Sequence, residues 1–293
     1  MVTRTFTKAP STAPLMLKAA LPAIPVVGGL PGVKHASGGA PDLTLVRSGV
    51  ATDPDHLERY REVCGFGRGD TLPVTYPHMA AFALHMSLMT DTAFPFAPMG
   101  LVHLRNAITQ HRPIGVDETF DVSVRATDLR PHPKGRLIDL LTDVTVDGET
   151  VWSEVTTLFA RGRGGAPETS TAPLEGVSAP SGVVHWKLAG NLGRRYGAVS
   201  GDRNPIHLYP LTAKAFGFPT NIAHGMWTKA HALAALANRL PDAYRVDVEF
   251  KKPVLLPATV VFGSRSVGDT IELGVVGARK AVPHMVGRVT PLG

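Results

Sequence analysis

The stretch Tyr196–His207, YGAVSGDRNPIH, gathers Asp202, Asn204 and His207 into one turn-rich segment between apolar regions. A carboxylate and an imidazole held this close can share one water and move protons to and from it. Asn204-Pro205 reads as a helix start. Asparagine is a good N-cap, and proline suits the first helical position because its missing N–H would be unpaired there anyway. His207 then falls in the first turn of a short helix, with Asp202 in the loop before it. Gly201 lets the chain turn where other residues would be strained. Pro205 stiffens the spacing, which matters because misplacement of reacting groups costs rate.

A second feature lies at Ala223–Trp227, AHGMW. Gly225 begins an apolar helix, where free N–H groups and the positive end of the dipole collect. With no side chain in the way, its N–H suits an oxyanion hole for a polarised carbonyl.

Other readings of these residues exist. Asp202 and His207 by themselves also make a cap and a turn. Asp202, His207 and His224 form a two-His-one-carboxylate set of the kind that holds a metal. His78 occupies the position matching His224 in the earlier part of the chain, where the carboxylate is missing, so both histidines read as structural, bonded to backbone. Ser200 lacks a Gly-x-Ser-x-Gly elbow and is no nucleophile. Cys64 reads as a small buried residue. Lys251 and Lys252 are candidates for meeting phosphates, but a solvated strand edge is the favoured reading.

The elements that must position these residues occur twice. YREVCGF (60–66) lines up with YGAVSGD (196–202), LPVTYPHM (72–79) with FPTNIAHG (218–225), and HRPIGVDETF (111–120) with KKPVLLPATV (251–260). The order is kept on both sides of a Gly/Pro/Ser/Thr/Ala-rich stretch, residues 163–182, which reads as a linker. Each half has an apolar helix, 78–90 in the first and 224–240 in the second. The first has no charged Asp, Glu, Lys or Arg and is apolar nearly all round, so it must be buried on most sides. Alternating strand-like segments follow each helix: 118–129, 136–148 and 149–162, then 244–254, 258–268, 270–280 and 281–292. Asp147-Gly148 and Gly268-Asp269 mark hairpin turns. A buried helix followed by an antiparallel sheet, repeated, implies an α+β fold with a sheet wrapped round each helix.

The halves differ chemically. Phe66 stands where Asp202 stands, Met79 where Gly225 stands, and the segment carrying His207 has no counterpart of its length. The expectation is one site per chain, with the first half an apolar wall for a substrate tail and Phe66 facing that tail. Phe82, Met86 and Met89 read as core.

Tyr-x-x-x-Ser-Gly-Asp-x-Asn-Pro-x-His followed by Ala-His-Gly-Met resembles the signature of the MaoC-like, R-specific enoyl-CoA hydratase family, also called hydratase 2. The two-half layout is similar to its double hot-dog members, in particular actinobacterial 3-hydroxyacyl dehydratases. The resemblance covers roughly residues 41–293, more strongly in the second half. It implies a double hot-dog fold and reversible hydration of a trans-2-enoyl thioester to the (3R)-hydroxyacyl thioester. In those roles Asp202 and His207 activate water and the Gly225 N–H binds the thioester oxygen. Asn204 and Ser200 hold the loop at the substrate, and no cofactor or metal takes part. The expected divisions are an N-terminal extension (1–40), a first hot-dog half without the motif (41–162), the linker (163–182) and a second half with it (183–293). The alternative is a hot-dog acyl-CoA thioesterase.

The composition agrees with a folded enzyme. The chain has 293 residues, 44% of them hydrophobic, a formal net charge of +6 and one cysteine. An intrachain disulfide is therefore excluded, and a reducing cytoplasm is the expected compartment. Basic residues are scattered, which argues against nucleic acid; the resemblance implies an acyl-CoA or acyl carrier protein thioester as the partner. A homodimer is compatible with this. The apolar stretch 15–33 is broken by Lys18 and prolines. It makes a poor membrane span and a weak signal peptide, and reads as packed on the fold surface.

Overall fold

A computed structural model describes residues 2–20, 38–162, 165 and 174–293. Most of the proposed linker, and residues 21–33 of the N-terminal apolar stretch, lie outside the described residues.

The elements of the first half are strand β2 (Leu43–Val50), helices α2 (Pro54–Cys64) and α3 (Pro77–Met89), and strands β3 (Leu101–Gln110), β4 (Phe120–His132), β5 (Gly135–Val146) and β6 (Glu149–Arg161). The second half runs β7 (Val184–Leu188), α4 (Leu192–Ser200), α5 (Pro205–Leu208), α6 (Pro210–Ala215), α7 (Gly225–Ala234), then β8 (Tyr244–Phe250), β9 (Ala258–Val267), β10 (Thr270–Gly277) and β11 (Pro283–Pro291). The plan is the same in both halves, except that α5 and α6 occupy the extra length of the second.

The caps explain where helices begin and end. Asp53 accepts from the N–H groups of Asp55 and His56 at the start of α2, with Pro54 behind it. The two aligned glycines Gly65 and Gly201 end α2 and α4 in the left-handed conformation, at φ 84° and 75°. In that conformation a glycine carries no Cβ penalty. The second apolar helix stops at Ala234, short of the expected residue 240. Its continuation tightens into a 3-10 turn at Ala237–Arg239, after the Leu236 N–H bonds to the Leu233 carbonyl.

Among the described residues all strands, with β1 (Val2–Phe6) at the N-terminus, form one eleven-stranded sheet in the order β1-β2-β4-β5-β6-β3-β8-β11-β10-β9-β7. The two expected sheets are thus continuous. They fuse where β3 and β8 pair antiparallel, from Arg105 opposite Glu249 to Gln110 opposite Tyr244. Fusion removes two of the edges that separate sheets would expose. Strand β3 was not anticipated, because its buried positions Asn106 and Gln110 are polar and blur the alternation. The hairpins at Asp147-Gly148 and Gly268 carry the positive φ angles such turns require.

The described part of the N-terminal extension packs onto the rest of the fold. Strand β1 (Val2–Phe6) adds in parallel to the β2 edge. Helix α1 (Thr12–Ala20) lies on α3, with Ala19 buried against Phe82 and Met86.

Candidate active site

The segment carrying Asp202 and His207 is held from both ends. Asn204 caps α5 by accepting from the Ile206 N–H, with Pro205 as the first helical residue. The Asp202 carboxylate accepts from the Asn204 N–H (3.1 Å), and Ser200 Oγ accepts from the Asp202 N–H (3.2 Å). Behind the segment lies α4, pressed close at its glycines. A Cβ on Gly193 would stand 2.0 Å from the His207 carbonyl oxygen, and one on Gly197 2.8 Å from that of Asp202. These glycines are a signal that sequence reading missed.

His207 donates its Nδ1–H to the Ile222 carbonyl (2.9 Å), so Nε2 carries the lone pair. Its ring stacks on that of His224, with centroids 3.7 Å apart. His224 immediately precedes α7 and donates Nε2–H to the Asp202 carbonyl (3.0 Å); the same nitrogen lies 3.7 Å from the Asp202 carboxylate. The backbone bond anticipated for His224 is present, whereas His78, expected to bond to backbone as well, bonds to the Glu154 carboxylate instead. The His224 ring also packs against Tyr196, at 4.9 Å.

The charge states follow from these contacts. Burial raises the Asp202 carboxyl, but His224, His207 and the Asn204 N–H outweigh it and leave the group below the ordinary carboxylate range. Burial holds His207 below the ordinary imidazole value, with Asp202 opposing. Burial, with His207 adding, pushes His224 down to about 3. At neutral pH the group is therefore one carboxylate beside two neutral imidazoles.

Gly225 is the first residue of α7, so its N–H has no partner within the helix. A Cβ there would meet the ring of Phe250 at 3.0–3.1 Å. Glycine thus serves both an open N–H and the seat of Phe250, which sequence reading had not singled out.

One cavity of about 380 Å³ joins these groups. Ser200, Asp202, Asn204, His207, His224 and Gly225 line it. Across from them stand Phe82, Met86 and Met89 of α3, which therefore bound the cavity as well as packing on their neighbours. Met16 and Ala19 of α1 and Met99 complete this side. Methionines make such a wall adaptable. Lys251 and Lys252 also border the cavity, so they are more than a solvated edge; Lys251 is paired with Glu249 at 2.7 Å.

Two expectations need correction. Phe66 does not line the cavity. It is half-buried and stacks on Tyr60, with centroids 6.3 Å apart. The end of α2 points toward α7, where a Cβ on Gly65 would meet His231, whereas the end of α4 points toward α1 and α3, where one on Gly201 would meet Thr12 and Phe82. Phe66 therefore belongs to the opposite, filled position, where His231 packs between Trp186 (4.4 Å) and Trp227 (4.8 Å). The wall from the first half is also not purely apolar, because His78, His85, His103 and Thr156 line it too.

Among the described residues, two clusters bring one ligand atom from each member within 4.8 Å of the others: Asp202, His207 and His224, and His78, His85 and Glu154. In the first, the nitrogen of His224 nearest Asp202 already donates to a carbonyl. In the second, His78 donates to Glu154 (2.8 Å) and His85 shares a hydrogen bond with Thr142 (2.8 Å).

Comparison with known proteins identifies the family. The MaoC like domain model matches residues 184–282, the half that carries the site. The 3-hydroxyacyl-thioester dehydratase X of Mycobacterium tuberculosis is 40% identical over 97% of this chain and 99% of its own length. The crystal structure of HtdX from the same organism superposes with a TM-score of 0.75 at 40% identity, over 85% of this chain and all of that one. A further M. tuberculosis structure, described as a double hot-dog fold, shares the fold at a TM-score of 0.51 and 13% identity, over 84% of this chain and 95% of that one. With nearly the whole chain matched and the site in the matched half, the protein belongs to the MaoC-like family of hydratases and dehydratases.

Proposed function

We propose that this enzyme hydrates trans-2-enoyl thioesters to (3R)-3-hydroxyacyl thioesters, and runs the reverse dehydration, in the fatty-acid metabolism of the cytoplasm. The observation that carries this reading is the convergence of three groups on one cavity: the Asp202 carboxylate, the lone-pair Nε2 of His207 and the free N–H of Gly225.

The thioester oxygen sits at the Gly225 N–H, which draws electrons from the C2=C3 double bond. Water held between Asp202 and His207 gives a proton to the pair as its oxygen bonds to C3. The negative charge gathers on the thioester oxygen at the start of α7. The pair then returns a proton to C2, and the net change is addition of one water. Asn204 and Ser200 act by holding Asp202, and no step calls for a metal. His224 is a positioning residue, tying the Asp202 loop to α7. The acyl chain extends along Phe82, Met86 and Met89. Lys251 and Lys252 stand where the phosphate of a pantetheine carrier, on coenzyme A or an acyl carrier protein, would approach.

The test is loss of enoyl absorbance on trans-2-enoyl-CoA, with free thiol followed in parallel. Asp202→Asn and His207→Ala should each lower kcat by about 10²-fold or more, with folding retained. Release of free thiol without hydration would point to the thioesterase alternative, and near-normal hydration by either variant would reject the assigned roles.

A further inference from the structure

The cavity has a direction. At one end the Phe250 ring fills the space beside Gly225, and Lys251 and Lys252 follow it along the chain. At the other end a Cβ on Gly201, the residue before Asp202, would stand 3.6 Å from the ring of Phe82, and the lining continues to Met86 and Met89. Asp202 and Gly225 thus lie between a basic end and an apolar one. A thioester held at the Gly225 N–H, with its carrier at the lysines, sends its tail past Phe82.

What the tail meets there comes from the N-terminal extension. Thr12, Leu15, Met16 and Ala19 recur at the spacing of one helix face, and they are the residues of α1 that turn inward, while Ala13, Pro14, Leu17 and Lys18 are exposed. The helix is held over both ends of α3. The Thr12 side chain would lie 3.5 Å from a Cβ on Gly201, and Arg4 of β1 pairs with Asp91, just past the end of α3, at 2.9 Å. Ala19 is the seat: it is 1% exposed, packed on Phe82 and Met86. Met16 has a different place. It lines the cavity yet is only half-buried, as are Met89 and Met99, which line the cavity and pack on the same small cluster. Its side chain therefore keeps surface that a ligand can touch.

These thioethers offer an alkyl tail contact and nothing that pairs a polar group, so a plain hydrocarbon end fits and a polar end loses its hydration unrepaid. We infer that Met16 is the end stop of the acyl pocket. Helix α1 carries it to the apolar end of the cavity, where it fixes the longest alkyl tail that the enzyme buries in full. This rests on the cavity being the acyl pocket of the proposed hydratase.

The experiment uses the full-length protein. Saturated acyl-CoA thioesters of increasing length, which cannot react, are titrated by calorimetry, and the matching trans-2-enoyl thioesters are assayed for hydration. Wild-type affinity should rise about fourfold with each methylene that is buried, the equivalent of about 0.8 kcal/mol, and then break at one length. Met16→Ala removes three heavy atoms and should move the break to tails about two carbons longer, into the space left behind. Met16→Trp should move it to shorter tails. Leu17→Ala, on the outward face at 68% exposure, should leave it in place. A break that stays put in both Met16 variants, or no break in the wild type, would overturn the end stop. So would a shift in the same direction in both variants, because that is the mark of a loosened α1 and not of a changed stop. A break in binding without hydration would sink the hydratase reading alone, and hydration without a break would sink the end stop alone.

Discussion

His207 commits one ring nitrogen to the Ile222 carbonyl and leaves the other unbonded beside Asp202. That arrangement sets its tautomer without any proton on Nε2, which is the form a base must have. Burial favours the neutral ring, since desolvation penalises charge. The acid limb of kcat/KM for hydration should therefore have its midpoint below about 6.5, the ordinary histidine value. The limb belongs to the Asp202–His207 pair as a unit. A full pH profile checks this, and a midpoint at or above that value would show that burial does not govern the base. His224 is a contrasting imidazole, buried more deeply and donating to backbone, and in the proposed mechanism it serves to place Asp202.

Helix α4 acts as a template for the segment that follows it. The smallest residues on its inner face, Gly193 and Gly197, stand against the carbonyls of His207 and Asp202. Since backbone atoms cannot swing aside as side chains do, Gly193→Ala should displace α5. Displacements of about 1 Å cost on the order of 10²-fold in rate. Activity of the folded Gly193→Ala protein should fall by roughly that factor, while Gly67→Ala, which meets nothing within 4 Å, should be neutral. Equal activity in the two variants, each checked for folding by its thermal melt, would show that α4 does not set the position of His207. Helix α1 plays a looser part. Its Met16 and Ala19 close the cavity over α3 through a small apolar cluster separate from the main core. None of the helices among the described residues is long and apolar enough to cross a membrane.

The molecule is built around one continuous sheet with a duplicated plan, and its asymmetry lies in what fills the two equivalent positions. On one side a cavity opens between α4, α7 and α3. On the other, His231 stacks on Trp227 and meets Trp186 edge-on, while Phe66 stacks on Tyr60. The cost of housing the polar wall should appear as pH sensitivity of the whole fold. His85 is pushed down to about 3 by burial, with His78 adding, and His103 and His224 are likewise held near 4 and 3 by burial. Each is neutral when folded but takes a proton when unfolded below about 6.5. Their contribution to stability is present above that pH and is lost as pH falls toward 3–4. Thermal melts should therefore show a lower Tm at pH 5 than at pH 7.5. An unchanged or higher Tm at pH 5 would mean these rings are protonated in the folded protein.

The amino-acid sequence by itself determined the features that depend on near neighbours. The Asn204-Pro205 helix start, the left-handed glycines Gly65 and Gly201, the bare N-terminus of α7 and the matching order of the two halves all follow from local backbone preference and hydrogen bonding. Direction across the fold was decided only by tertiary structure. The aligned positions of Phe66 and Asp202 face opposite halves because their helix ends point at different partners. Phe82 and Met86 bound a cavity because α1 arrives from far along the chain. Strand β3 hid its role because its inward residues are polar and serve a network reaching Glu154 and Lys229. A residue's own type and its neighbours set its dihedral angles and caps. Which surface it meets depends on contacts between segments far apart in sequence, and those exist only once the chain has packed.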